Sequence, residues 1–144
     1  MRRTIVEPAD IDGGALDDLK AWLGVSRPNE DALLLDLLRS GLATCEAFTG
    51  QAPLSQLVEE RIPIHAGQTI LTSRPVASLA SVEVVAQDGS RSTLSTTAFE
   101  FELQSAGTAC FVLANDVEGQ AVAVRVRAGL AGTWEDVPGP LQQG

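Results

Sequence analysis

The chain has 144 residues, 44% hydrophobic and 20% charged, with ten Lys and Arg against nineteen Asp and Glu for a formal net charge of −9. That length allows one domain or two small lobes, burying about two thirds of the unfolded surface. The acidic balance disfavours nucleic acid as a tightly held ligand, since phosphate binding needs the opposite sign, but it suits a wall past which nucleic acid slides.

Met1 to Gly14 is expected as an irregular arm, punctuated by Pro8 and Gly13-Gly14. A helical hairpin over 15–57 follows. Leu16, Leu19, Trp22 and Leu23 recur at helical spacing, Asp17 and Asp18 occupy the anion-favouring first turn, and Gly24 stands where a left-handed C-cap belongs. Pro28 and Asn29 open a second, long helix, with Asn29 as N-cap and Glu30 and Asp31 in its first turn; it ends at Gly50. Its stripe of Leu34, Leu38, Leu42, Cys45 and Phe48 is joined by Leu33, Leu35 and Leu37, more apolar surface than one packing face requires. A buried partner is implied.

From about Val58 the period becomes alternating, and an antiparallel β-lobe is expected over 58–132. Candidate strands are 60–64, 69–71, 81–85, 91–94, 99–103, 110–113 and 122–127. Asp88-Gly89 signals a type I′ hairpin, and Val122, Val124 and Val126 oppose Arg125 and Arg127 across the last strand. Together these predict a meander with one wet face. In the C-terminal segment, 133–144, Pro140 marks a helix start, so a C-terminal helix is expected but mostly absent from this chain. The fold class is α+β.

Catalytic chemistry finds little support. His65 is the single histidine and is expected as an ordinary side chain, with no second histidine to complete a zinc site and no Gly-x-Ser-x-Gly elbow. Asp10, Asp12, Asp17 and Asp18 do not match a calcium loop, and Gly13-Gly14 lacks the ending of a phosphate loop. Cys45 and Cys110 form no CxxC and predict reduced, buried thiols. Trp22 is expected to pack, while Trp134 either pins the final segment or contacts a partner. No catalytic, cofactor-binding or metal site is expected. With no apolar h-region after the basic N-terminus and no membrane-spanning run, the cytoplasm is the default compartment.

The succession Leu19-Lys20-x-Trp22-Leu23-Gly24-Val25, Glu30-Asp31-Ala32-Leu33-Leu34, Leu37-Leu38 and Glu46-x-x-Thr49-Gly50 resembles the helical opening of the head-tail connector, or adaptor, proteins of long-tailed phages and gene transfer agents. Arg74-Pro75-Val76-x-Ser78-Leu79-x-Ser81-Val82, the Asp88-Gly89 hairpin, Thr93-Leu94 and the Phe99 strand resemble the β-insert of larger members, and Val137-Pro138-x-Pro140-Leu141-Gln142 the lead-in to their C-terminal helix. Two departures stand out: Ser40-Gly41 breaks the second helix, and the C-terminal helix is missing after Gly144.

The resemblance implies a structural ring, commonly twelvefold, in the virion neck, assembled in the host cytoplasm. Its implied partners are the portal protein, a stopper or tail-completion protein and further copies of itself, with DNA only as passing cargo and no membrane. The subunit or partner interface is expected at Leu33, Leu34, Leu37, Leu38, Trp134, Leu141 and Gln142. The competing expectations are an acidic, non-enzymatic protein-binding module outside a virion, pairing its sheet edge with an extended segment, and a small hydrolase using His65.

Overall fold

The structure, a computed structural model, describes residues 2–11 and 14–143; Asp12 and Gly13 of the expected arm and Gly144 at the end lie outside the described residues. The chain is α+β. Helix α1, Gly14–Leu23, ends where Gly24 adopts φ +70°. The N–H of Val25 reaches Lys20 O at 2.9 Å and that of Gly24 reaches Ala21 O at 3.3 Å, so a Schellman motif satisfies the last carbonyls.

Asn29 does not cap the second helix. Pro28–Glu30 form a 3-10 turn with Pro28 at its start, and α2, Asp31–Thr49, follows with no side-chain cap. Lys20 Nζ bridges to Asp31 Oδ1 at 2.7 Å and ties the end of α1 to the beginning of α2. The helix runs unbroken through Ser40 and Gly41, contrary to the expected interruption, because tertiary packing outweighs a glycine penalty of about 1 kcal/mol. It closes at Gly50, φ +74°, whose N–H donates to Glu46 O at 2.8 Å.

The N-terminal arm is irregular only in part, over residues 8–11 of those described. Arg2–Glu7 form strand β1, antiparallel to β2, Gln56–Pro63. All six residues of β1 are exposed, so no burial period marks it in the sequence; its backbone joins the open edge of β2 instead.

The remaining strands are β3 (Gln68–Ile70), β4 (Val76–Val85), β5 (Arg91–Thr93), β6 (Phe99–Leu103), β7 (Ala109–Leu113) and β8 (Ala121–Ala128). They make two sheets, β1-β2-β8-β4-β5 and β3-β7-β6, rather than the expected meander. The reason lies in β8, where Val122, Ala123, Val124 and Val126 are all fully buried. A strand buried along the whole of its core face, with Ala123 covered on the other face beside the wetter Arg125 and Arg127, belongs in the middle, and β8 sits between β2 and β4.

Register aligns Val58, Glu60 and Ile62 of β2 with Val126, Val124 and Val122 of β8. On the other side Leu79, Val82 and Val84 of β4 meet the same three valines, and a bulge between Leu79 and Ser81 keeps residues three apart on one face. Against this face packs the three-stranded sheet with Leu71, Ala109 and Phe111; the Phe111 ring stacks on Phe99 with centroids 5.6 Å apart.

The Asp88-Gly89 hairpin forms, with another turn. Gly89 has φ +85° while Asp88 does not have positive φ, so type I′ is excluded; Gly89 N–H closes the turn onto Ala86 O, and Ala86 N–H pairs with Ser90 O. Asp88 Oδ1 accepts from Ser90 Oγ and Ser90 N–H, which holds its carboxyl below the usual range.

A second core joins the helices to both ends of the β-lobe: Ile11, Ala15, Leu54, Ala131 and Val137 are buried there with Leu35, Leu38, Leu42 and Trp134 against them. Two chain segments cross at this junction, where Ser55 N–H donates to Ala131 O and Leu130 N–H to Ala52 O. Gly129 makes the crossing possible. A Cβ there would stand 2.4 Å from Leu54 C and Ser55 N.

Candidate functional site

At about 1.5 Å per residue, α2 is a rod of roughly 28 Å, longer than the core beneath it. Leu34 is 5% exposed, and Leu35, Leu38 and Leu42 pack on the second core. Phe48, expected in this stripe, is 92% exposed, because the helix has by then run past the cluster. Leu33 and Leu37 stay outside at 60% and 55% exposure, as do Trp22 and Leu23 on α1.

These exposed side chains are not scattered. Leu23 and Leu37 border an apolar groove of about 380 Å³ floored by Leu38, Leu42 and Pro53 and walled by Leu141. A neighbouring hollow of about 600 Å³ shares Leu19, Leu38, Trp134 and Gln142 with it and extends to Trp22. Gly41 lies in the groove wall, and a Cβ on it would meet nothing within 4 Å. Contiguous apolar surface of this kind marks a binding face more often than an idle one.

The C-terminal segment is held by hydrogen bonds. Trp134 Nε1 donates to Asp18 Oδ2 at 2.7 Å, and Gln142 Nε2, in the short helix α3 (Gly139–Gln143), donates to Trp134 O at 2.7 Å. Trp134 thus both pins the segment to α1 and lines the groove. Of the seven interface candidates, Leu37, Leu38, Trp134, Leu141 and Gln142 gather around this groove. Leu34 is spent on the chain's own interior, and Leu33 is exposed on α2 but is not part of the groove lining.

Two buried glutamates carry the polar architecture of the β-lobe. Adjacent residues of a strand face opposite sides, so Glu59 and Glu60 divide between the two faces of the sheet. Glu60, fully buried beside the valine core, accepts from Thr72 N–H at 3.0 Å, Ser73 N–H at 2.7 Å and Ser73 Oγ at 2.7 Å. Ser73 Oγ in turn accepts from Arg3 Nε at 3.1 Å, and Arg3 also pairs with Glu46 of α2, so this chain of contacts ties β1, the β3–β4 loop and α2 together. On the outer face, Glu59 accepts from Arg91 at 2.8 and 3.0 Å and from Arg125 at 2.9 Å. The Arg91 hydrogen bonds, opposed by burial and reinforced by Arg125, bring the Glu59 carboxyl down to about 2.

Neither glutamate stood out in the sequence. The available signal was two consecutive carboxylates inside a strand flanked by Val58 and Ile62, which forces one of them inward.

The groups that would carry chemistry stay apart. His65 is exposed in the turn between β2 and β3, and Cys110 is buried with its Sγ accepting from Gln68 Nε2 at 3.1 Å. Among the described residues no group of three or more His, Cys, Asp or Glu is placed to hold a metal, and no helix is long and apolar enough to cross a membrane. Cys45 and Cys110 are free thiols.

No family model matches the sequence, and no curated protein does. Solved structures do match in fold. A chain in the neck of an empty gene transfer agent particle, computed with C6 symmetry, superposes with a TM-score of 0.80 at 20% identity, covering 99% of this chain and 78% of that one. A chain in the virion of the native gene transfer agent particle gives 0.75 at 20% identity, over 99% and 79%. One in the neck of the native particle, computed with C12 symmetry, gives 0.71 at 20% identity, over 97% and 77%. At that identity the likeness is one of fold.

Proposed function

We propose that this chain is a structural, non-enzymatic component of the neck of a gene transfer agent or phage-like particle: a head-tail adaptor whose copies form a ring under the portal protein, meet a stopper or tail-completion protein on the far side, and leave a channel for DNA. The observation that carries the reading is the match of 99% of this chain, helices and β-lobe together, to a neck chain at a TM-score of 0.80. A short shared motif would not say as much, because unrelated proteins share helical hairpins.

Three properties support it. The groove beside Leu37 and Trp134 offers apolar surface that a neighbouring copy would cover, and head-to-tail contacts close into a ring when the rotation fits. We place the subunit seam at Leu37, Leu38, Trp134, Leu141 and Gln142, with Leu33 on its margin and Leu34 supporting it from inside. A net charge of −9 suits a conduit that must let DNA pass without holding it. The reading is tested by mixing the chain with portal vertices from its own particle and imaging them by electron microscopy. Ring density beneath the portal is expected; bare portals in the presence of folded chain would refute it.

A further inference from the structure

The outer face of the five-stranded sheet, opposite the valine core, is basic on an acidic protein. Register sets Arg2, Arg61 and Ala123 in one row, Thr4, Glu59 and Arg125 in the next, and Glu7, Leu57 and Arg127 in the third. Arg91 joins them from β5, bonded to Glu59 and to Glu83. Five arginines therefore meet three glutamates here, leaving five basic and sixteen acidic residues for the rest of the chain.

The arrangement is preformed. Glu59 is held by Arg61, Arg91 and Arg125, and Arg127 pairs with Glu7 at 2.9 Å, so little side-chain ordering is left to a partner. Helix α2 meets the sheet from the opposite face, through Glu46 and Arg3, the strand neighbour of Arg2. Arg61 and Arg127 remain 42% and 47% exposed at the side chain.

The complementary surface lies elsewhere on the same molecule, beside the hollow that Asp18 and Trp134 line. Asp17 and Asp18 start α1, and Glu135 and Asp136 form the 3-10 turn that follows Thr133. They share one corner: Trp134 Nε1 reaches Asp18, and a Cβ on Gly14 would touch Glu135 Oε1 at 2.5 Å.

We propose that the arginine-rich sheet face of one copy docks on this acidic corner of a second copy, an inference that rests on the ring reading above. A patch and its counterpart at separate places on one chain make a head-to-tail contact, the kind that closes a ring, whereas a twofold dimer would need a self-complementary patch. Such charges act mainly on register and association rate. Duplex DNA fits the face less well. A face with five arginines against three glutamates carries only a small positive surplus and releases few counterions, and counterion release is the main source of affinity for a duplex.

The test reverses charges at the rims, away from the Glu59 cluster and from Asp18. R2E/R127E, D17K/E135K and the wild-type chain are each checked for native circular dichroism, added to portal vertices, and scored for rings by electron microscopy at low and high salt. Each reversal alone should lower ring occupancy by about tenfold or more. Mixing the two variants should restore it, because each then supplies the complement of the other. Wild-type rings with folded variants that assemble equally well would overturn this contact and leave the ring reading intact. No ring from the wild-type chain would overturn both. Undiminished rings together with duplex DNA binding lost in R2E/R127E would assign the face to nucleic acid and overturn the proposal.

Discussion

Replacing Glu60 by Ala should destabilise the chain by about 3–4 kcal/mol. The carboxylate is fully buried and accepts three hydrogen bonds. Thr72 is exposed, so its N–H can turn to water once the acceptor is gone. Ser73 is 1% exposed, so its N–H and O–H are stranded together. A stranded buried donor costs about 1–3 kcal/mol, and the side-chain methylene lost from the core adds roughly 0.8. With two donors stranded the sum is about 3–7 kcal/mol, and relief of a buried charge brings it to the lower end of that range. Against about 5–15 kcal/mol for a whole domain the loss is large.

Glu60→Gln keeps one carbonyl oxygen for Ser73 but sets its amide N–H groups against the Thr72 N–H, so it should cost about 1–3 kcal/mol, less than Glu60→Ala. Urea unfolding followed by circular dichroism measures both, with an unchanged m-value showing that the same surface is exposed. If Glu60→Ala lies within about 1 kcal/mol of the wild type at equal m, the carboxylate is not what holds the β3–β4 loop, and the linkage from Glu60 through Ser73 and Arg3 to α2 is wrong.

Glu59 titrates at about 2 against an ordinary value of 4.5, held down first by its Arg91 hydrogen bonds. A depressed carboxylate stabilises the fold at pH above 4.5, and the contribution is lost as pH falls from there towards 2. Thermal unfolding across that window should show a decline that Glu59→Gln flattens. Gly41→Ala should raise the melting temperature of the free chain, since a methyl group there has open space and the helix gains up to about 1 kcal/mol, while thinning ring density on portals because it narrows the groove. A higher melting temperature with undiminished rings would move the seam elsewhere. Leu37→Asp should leave folding nearly unchanged and abolish assembly, whereas Leu34→Asp should abolish folding, as their exposures of 55% and 5% require; equal unfolding midpoints would refute that division. Gly129→Ala should unfold the chain at markedly lower denaturant, because its Cβ would strike the Leu54–Ser55 backbone.

Much of the chain was legible from local signals. The αL cap at Gly24, the long α2 ending at Gly50, and the alternation of Phe99–Leu103 and Val122–Val126 each depend on a few neighbouring residues, and each appears in the structure. The missed elements lack a local signature. Strand β1 is exposed at every position, and the Asp88-Gly89 turn carries an extra residue that the Asp-Gly signal does not count. Of the interface candidates, Leu33 and Leu37 differ from Leu34 only by rotation about the helix axis, and nothing in a leucine says which side its neighbours occupy.

Periodicity, capping and charge were enough to establish helices followed by antiparallel strands on an acidic chain without a legible catalytic centre. Long-range contacts settled the rest: β8 between β2 and β4, Trp134 returned to Asp18, Glu59 and Glu60 on opposite faces of one sheet. Such partners lie far apart in the chain, and which of them meet depends on the burial of whole faces at once. Local preference extends over only a few residues and carries no record of that choice.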